Sequence, residues 1–597
     1  MDEGKSGLGP PGREPELTWR AVLAGCLLGA VLAAANVYTG LKTGFIDGGS
    51  ITASVLAFAW FRAAKRRYGA LENNLTQTIS GSAAVMSMVV GVAGPIPALA
   101  LSGHVAAGSA IVVWGVALGA LGVLVALLLR AQLVVTEALP FPTGTATAEV
   151  IVAMVTAGGS ALRRARTLLI AAVVAGLIGW LRDGPLGLLP QELLLPISIA
   201  GVSAQALSLG VSVSPLLLST GLLIGLRAAG SMLVGSLLGW ALIAPLLLQR
   251  GIVLEAGHAK LLDWLMWPGA ALMLSSSLTS LGMEWSSLVR GLSDLSSLVR
   301  GGAARLDPTP ATRAAPASAT GPARVDRAAS GIAKPLFALT LLSVLVVVLV
   351  ARSAFGLSPL TTLLALALAL VLSSVCARSA GETDVAPVGA MGGVTQLVFG
   401  GSGNVASIAS GAIVSAAASQ TAQTLWAFKS GLRLGASLKA QLLGQLLGVG
   451  VGALVVVPTY EVVARVYGIG TEKMPAPGVL SWKATADAVQ GGLVALPAHA
   501  ATAALIACAV GVVLTLLART RLERWLPSPI AMGIGFLTPA SLSAAVFVGA
   551  LALVWLQARR AAWCEEHVSS LAGGAIAGES LFAVALAALI ATGVLDG

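Results

Sequence analysis

Charge is scarce in this chain: 10% of its 597 residues are Asp, Glu, Lys or Arg, against 56% hydrophobic residues and a mean hydropathy of +0.90. A water-soluble fold of this length needs a far more charged surface, which leaves the bilayer as the solvent. Cysteine is nearly missing. Cys26, Cys376, Cys508 and Cys564 lie far apart and mostly inside apolar runs, which excludes a disulfide framework and a thiolate zinc spacing. The histidines, His104, His258, His499 and His567, are scattered, and no HExxH, GxSxG, Walker A or paired-cysteine pattern occurs. CEEH at 564–567 adjoins Arg559 and Arg560 at a helix end and reads as a solvated interfacial patch. Enzyme chemistry thus finds little support, no cofactor or metal site is indicated, and without an ATP-binding module uphill transport would draw on an ion gradient.

The formal charge of +10 sits in short loops at helix ends, as the positive-inside bias produces, and no basic stripe interleaved with aromatics invites nucleic acid. Runs of about 20 apolar residues, enough for one helical crossing, recur along almost the whole chain. They lie near 19–38, 48–63, 75–94, 105–129, 166–181, 214–249, 259–282, 335–351, 357–376, 405–427, 435–458, 491–518, 528–558 and 570–594, with 214–249 and 528–558 long enough for two crossings each. Stretches near 132–158, 186–206 and 385–401 are apolar but rich in Gly, Pro, Ser and Gln, and read as broken or re-entrant helices. The fold expected is an all-α polytopic integral membrane protein of roughly 14 to 18 crossings.

Residues 1–18 form a polar arm, too long and too acidic for a signal-peptide start, so the first helix reads as uncleaved. Basic clusters at Arg62–Arg67, Arg163–Arg166 and Arg519–Arg524 orient the chain with these loops and the N-terminus in the cytoplasm, across the cytoplasmic (inner) membrane. Residues 284–334, rich in Ala, Pro, Ser, Thr and Arg, read as a partly disordered cytoplasmic linker between transmembrane halves 19–283 and 335–597. SSLVRG, repeated at 286–291 and 296–301, reads as a short interfacial helix. A duplication is suggested by two helices that open Ser-Pro and then carry glycines: Ser214, Pro215, Gly221 and Gly225 against Ser528, Pro529, Gly533 and Gly535.

Polar side chains at bilayer depth are costly, so their positions carry information. NVYTGLKTG contains Asn36, Tyr38 and Lys42, either an ordinary loop or a loosened helix end that offers polar groups to a ligand. ENNLTQT places Glu72, Asn73 and Gln77 at a helix start; capping accounts for an asparagine there, less easily for Gln77. In LPFPTGTATAEV, Pro140 and Pro142 forbid a regular helix, Gly144 permits a turn, and the following TATAEV can start a half-helix whose free amides attract an anion. Glu149, one turn inside, is either a proton-carrying carboxyl or the structural partner of an arginine. The densest cluster includes Asp384, Gln396, Asn404, Gln420, Gln423 and Lys429, with Gln441 and Gln445 on one helix face beside Gly444 and Gly448, where packing is the simpler role. Gln396 and Gln420 read as facing a cavity.

Taken in order, NVYTGLKTG, ENNLTQT, LPFPTGTATAEV, ETDVAPVGAMGGVTQLVFG, KSGLRLGASLKAQLLGQ, SPIAMGIG and GGAIAGESL resemble the oligopeptide transporter (OPT) superfamily, which includes the yellow-stripe-like metal-chelate transporters. The resemblance runs from about Asn36 to Leu581 and implies about 16 transmembrane helices in two repeated halves. It further implies proton-coupled import of small oligopeptides or peptide-like metal chelates by alternating access. The substrate pathway then includes Asn36, Tyr38, Lys42, Asn73, Gln77, Thr143, Gln396, Asn404, Gln420 and Lys429, with Glu72, Glu149, Asp384 and Glu579 as candidates for the proton. Similar members carry a Glu where Thr143 stands, and acidic text where Gln423 and Ala427 stand. Either the remaining acids suffice for coupling or this member has a different cargo or ion. A membrane-embedded enzyme and a passive channel are the alternatives, and homo-oligomerisation is left open.

Overall fold

A computed structural model describes residues 15–283 and 333–595, apart from 45, 47, 158, 186, 200, 256, 384–385, 492–495 and 523–524. The proposed linker, its SSLVRG helix and Asp384 lie outside the described residues. The chain is mostly helical, and among the described residues ten helices are long and apolar enough to cross a membrane.

The first part contains α1 (Trp19–Thr43), α2 (Ser50–Ala63), α3 (Ala70–Ala84), the short α4 (Met86–Val89) and α5 (Pro95–Leu101), and α6 (Gly108–Arg130). α6 ends in a π-helical turn over Ala131–Thr136; α7 (Pro142–Ala157) and α8 (Gly159–Asp183) follow. Next come α9 (Pro215–Ser236), a second π-helical turn, α10 (Ala244–Gln249) and α11 (His258–Met283). The later part contains α12 (Ala333–Phe355), α13 (Pro359–Thr383), α14 (Val388–Phe399), α15 (Asn404–Leu434), α16 (Leu438–Tyr467), α17 (Pro477–Gly491), α18 (Ala500–Leu517), α19 (Pro529–Leu537) and α20 (Ala540–Ala591).

Segment 186–206 is not a broken helix. Pro190, Pro196 and the left-handed Gly201 interrupt helical geometry, and the backbone pairs instead as β1 (Glu192–Leu194) with β4 (Gly210–Ser212) and β2 (Ser198–Ile199) with β3 (Val202–Ser203). The 385–401 stretch does contain a short helix, α14, followed by a turn at Gly403 into α15. One helix escapes the hydropathy pattern altogether: α17 carries Lys483 and Asp487 and is too polar to read as a crossing.

Helices α9 and α20 each double back. Gly221 abuts Val546, while the Ser236 hydroxyl donates to Ser543 at 2.6 Å. A straight helix would hold Gly221 and Ser236 roughly 22 Å apart, yet their partners are one turn from each other, so the chain reverses at Gly225 (φ 76°, ψ 174°). In the same way Gly549 and Glu579 both reach the first two turns of α9 although some 45 Å of straight helix would separate them, and the reversal falls at Arg560 (φ −146°, ψ 56°). The first arm of α9 is thus a half-length helix, where the sequence suggested two full crossings.

The Ser-Pro helices interlock. Ser214 and Ser528 each cap a helix with proline in its first turn, accepting from Leu217 N at 3.3 Å and Ala531 N at 3.5 Å. A β-carbon at Gly221 would stand 1.9 Å from the Val546 carbonyl oxygen, and one at Gly535 2.1 Å from that of Met232. One at Gly549 would stand 1.9 Å from Leu218 O, and one at Gly235 2.1 Å from Met532 O. Each contact has its counterpart at one constant spacing: 221 with 535, 235 with 549, 232 with 546, 218 with 532.

The residues before 284 and those after 332 interleave: α3 lies against α1 and α16, and α15 against α13 and α6, and the largest hydrophobic core draws on both.

Candidate functional site

α3 is buried along nearly its whole length, because α1, α2, α15 and α16 enclose it. Its polar residues therefore meet protein. Glu72 closes a capping box at the helix start and accepts from Arg20 Nε and Nη2, both at 2.6 Å, and from Thr18. The Asn73 amide donates to Ser54 O at 3.3 Å. Asn74 Oδ1 accepts from Gln77 Nε2 and from Ser430 Oγ, each at 3.0 Å, and Gln77 also reaches Ser430 at 2.9 Å. Further along the seam Gln420 Nε2 donates to Ser82 Oγ at 3.0 Å and Gln445 Oε1 at 3.1 Å, and Gln423 donates to Ser50 Oγ at 3.3 Å.

This amide and hydroxyl seam joins helices from the earlier and the later part of the sequence. It is not fully satisfied: Asn73 Oδ1, Asn74 Nδ2, Gln420 Oε1 and Gln445 Nε2 are buried without a partner. Gln441 donates to Ala427 O at 2.7 Å, and Gly444 and Gly448 let α16 close onto Thr78 and Ile79 of α3.

The other candidates disperse. Gln396 donates to Trp482 O at 3.0 Å and Asn404 to Asp487 at 2.9 Å, both on α17. Asn36 donates to Ala84 O at 3.0 Å, and Lys429 to Ala138 O at 3.3 Å. Ala138 (φ 51°) and Phe141 (φ 42°) hold the break before Pro142 in left-handed geometry, just ahead of Thr143 in the first turn of α7. Glu149 lies at the surface, 67% exposed, paired with Arg433 at 3.0 Å.

Tyr38 and Lys42, at the end of α1, open instead onto a cavity of about 560 Å³. Arg182 and Asp183 of α8, Glu192 of β1, Ser212 of β4 and, from the later half, Tyr467 and Glu472 complete its polar wall. At its floor Arg182 is tied down on all sides. It pairs with Asp183, with Glu579 at 3.0 Å, and donates to Val213 O at 2.7 Å. Glu579, fully buried, also accepts from Ser214 Oγ and Leu216 N, each at 2.7 Å, so a carboxylate caps the half-helix that starts inside the protein.

Glu192, outside the spans, accepts from Ser541 at 2.5 Å. Burial holds its carboxyl above the ordinary value, the Ser541 hydroxyl opposes that shift, Glu472 adds to it, and Lys42 opposes it. Of the cavity's residues, only Tyr38 and Lys42, with Glu579 beneath, are in the motifs singled out above. Arg182, Asp183, Glu192 and Glu472 carried no local pattern; WLRDGP reads as a helix end, and only the fold brings it beneath β1.

A multi-pass helical bundle with buried amides and a charged cavity defines a membrane transport protein. A family model described as OPT oligopeptide transporter protein matches residues 16–590, and the chain belongs to that family. Its members are transporters, not enzymes. A Saccharomyces cerevisiae protein provisionally named an oligopeptide transporter is 24% identical over 95% of each chain. A similarly named Haemophilus influenzae protein is 27% identical over 94% of this chain and 93% of its own. The iron-phytosiderophore transporter YSL15 of Oryza sativa subsp. japonica is 28% identical over 37% of this chain and 34% of its own.

Proposed function

We propose that the protein is a secondary active transporter that imports small oligopeptides or peptide-like metal chelates across the cytoplasmic membrane, coupled to protons. The single observation that carries this reading is the 560 Å³ cavity, of the size that small-molecule sites have, walled by charges of both signs from both halves of the chain. Peptide-like cargo has separated charges and amide groups; the cavity offers the first kind of partner and the seam beneath α1 the second.

Alternating access between two repeated halves is the mechanism we infer, with the N-terminus in the cytoplasm. Its support is the reciprocal interlocking of α9 with α19 and α20 at one constant spacing, as a pseudo-two-fold axis between repeats requires. Among the acids expected to carry the proton, Glu72 is held by Arg20 and Glu149 stands at the surface, whereas Glu579 is linked to the cavity through Arg182. We assign coupling to the Arg182–Glu579 pair: a proton arriving on Glu579 removes its attraction for Arg182, which Asp183 still holds, and weakens the carboxylate cap at the start of α9.

The test is uptake of a labelled di- and tripeptide library, and of iron chelates, into proteoliposomes with and without an inward-directed proton gradient. The reading predicts saturable accumulation that the gradient drives. Flux that never saturates, or no accumulation of any peptide or chelate, overturns it.

A further inference from the structure

Two opposite charges in the cavity form no ion pair within 4.0 Å among the described residues. Lys42 is buried to nine-tenths, and among the described residues its ammonium donates only to Tyr38 Oη, at 3.1 Å. Among the described residues Glu192 accepts only from the Ser541 hydroxyl. They share one cavity, yet no ion pair within 4.0 Å joins them. The other charges nearby are committed or peripheral: Arg182 pairs with both Asp183 and Glu579, a cluster of one positive and two negative groups, while Arg465, Glu472 and Lys473 are exposed. A buried ammonium with no carboxylate in direct contact is costly, and a ligand that brings a carboxylate to Lys42 relieves it. A ligand that also satisfies Glu192 brings a cation at its other end.

We propose that the cavity recognises both termini of a short zwitterionic peptide or peptide-like molecule, with Lys42 binding its free carboxylate and Glu192 its ammonium group. The inference rests on the transport reading above and names the chemistry of its cargo. An extended peptide of two or three residues spans roughly 7 to 10 Å, a length that a cavity of about 560 Å³ can hold. Tyr38 orients the lysine: its hydroxyl fixes the ammonium, and its ring packs edge-on against Tyr467 with centroids 5.9 Å apart. Glu472, on the Ser208 hydroxyl at 3.0 Å, sits beyond Glu192 toward the rim and adds to the attraction for a cation.

The experiment compares uptake by the full chain, in proteoliposomes, of a random di- and tripeptide library in free, C-amidated and N-acetylated forms. Wild type should take up the amidated and acetylated libraries roughly 10- to 100-fold less well than the free one, as loss of a charge-assisted contact implies. Lys42→Met should bring the free library down to the amidated level and leave the amidated level unchanged. Glu192→Gln should do the same for acetylation. Equal uptake of all three forms by wild type overturns the assignment and leaves peptide transport standing. Equal losses for free and amidated libraries in Lys42→Met also overturn it, since a merely structural lysine would act that way. Lys42→Arg keeps a cation and should keep the preference. If wild type takes up no form at all, the transport reading falls and this inference with it.

Discussion

Replacing Glu579 by Gln removes one charge from the most buried ion pair of the protein and leaves the volume unchanged. Glu579 is 0% exposed and Arg182 3%, so solvent screens little of the effect. The carboxylate receives a hydroxyl, a backbone amide and a guanidinium, and a glutamine can accept only on its oxygen, turning its own NH₂ toward one of these donors. Breaking a buried pair typically costs about 3–5 kcal/mol. Asp183 remains on Arg182, which places the expected loss at the low end, about 3 kcal/mol, or roughly a hundredfold in the unfolding equilibrium. Chemical denaturation of the detergent-purified protein, followed by tryptophan fluorescence, reads this directly. Arg182→Met alone should be worse, because it strands both Glu579 and Asp183. The double variant should lose less than the sum of the singles. A Glu579→Gln protein as stable as wild type, or strictly additive losses, would refute the reasoning that these groups form one buried unit.

Three further outcomes follow from the same geometry. Gly221→Ala and Gly535→Ala both drive a methyl into a carbonyl about 2 Å away, so each should cost about 1–3 kcal/mol in the same denaturation experiment. Unequal effects, one large and one absent, would break the pairing of the two contacts. Glu149→Gln removes a surface pair worth at most about 1 kcal/mol, and gradient-driven uptake should continue at the full rate. Binding of cationic peptide termini needs Glu192 ionised. Because its value is raised, affinity should fall on acidification at a higher pH than an ordinary carboxylate would show, and Glu192→Gln should flatten that profile in a binding titration.

The helical membrane fold was legible because hydropathy at helical length needs no partner to be read, and the Ser-Pro echo marked two real helix starts. Turning points were harder. Residues 214–249 are apolar apart from Arg227 and a few polar residues, and the reversal is visible in φ 76° at Gly225. The arm at 186–206 is apolar through Leu193, Leu194, Leu195 and Ile197, but these side chains are largely exposed on paired strands, a distinction that composition does not make. Polar residues announced that something lies inside the membrane, without saying which were satisfied by neighbours. Gln77 and Gln420 bond across α3, α15 and α16, while Lys42 looks into open space. Arg182 and Glu192 belong to the cavity only because a helix end and a strand from distant text converge there.

Thiol protection tests most directly whether cargo sits in this cavity. In a background lacking the four native cysteines, Ser212→Cys places a thiol on its wall opposite Glu192, and the rate of labelling by a small methanethiosulfonate reagent is measured with and without transported peptide. The account predicts that free peptides slow labelling at the same concentrations that half-saturate uptake. Labelling that proceeds at an unchanged rate under saturating cargo would contradict it.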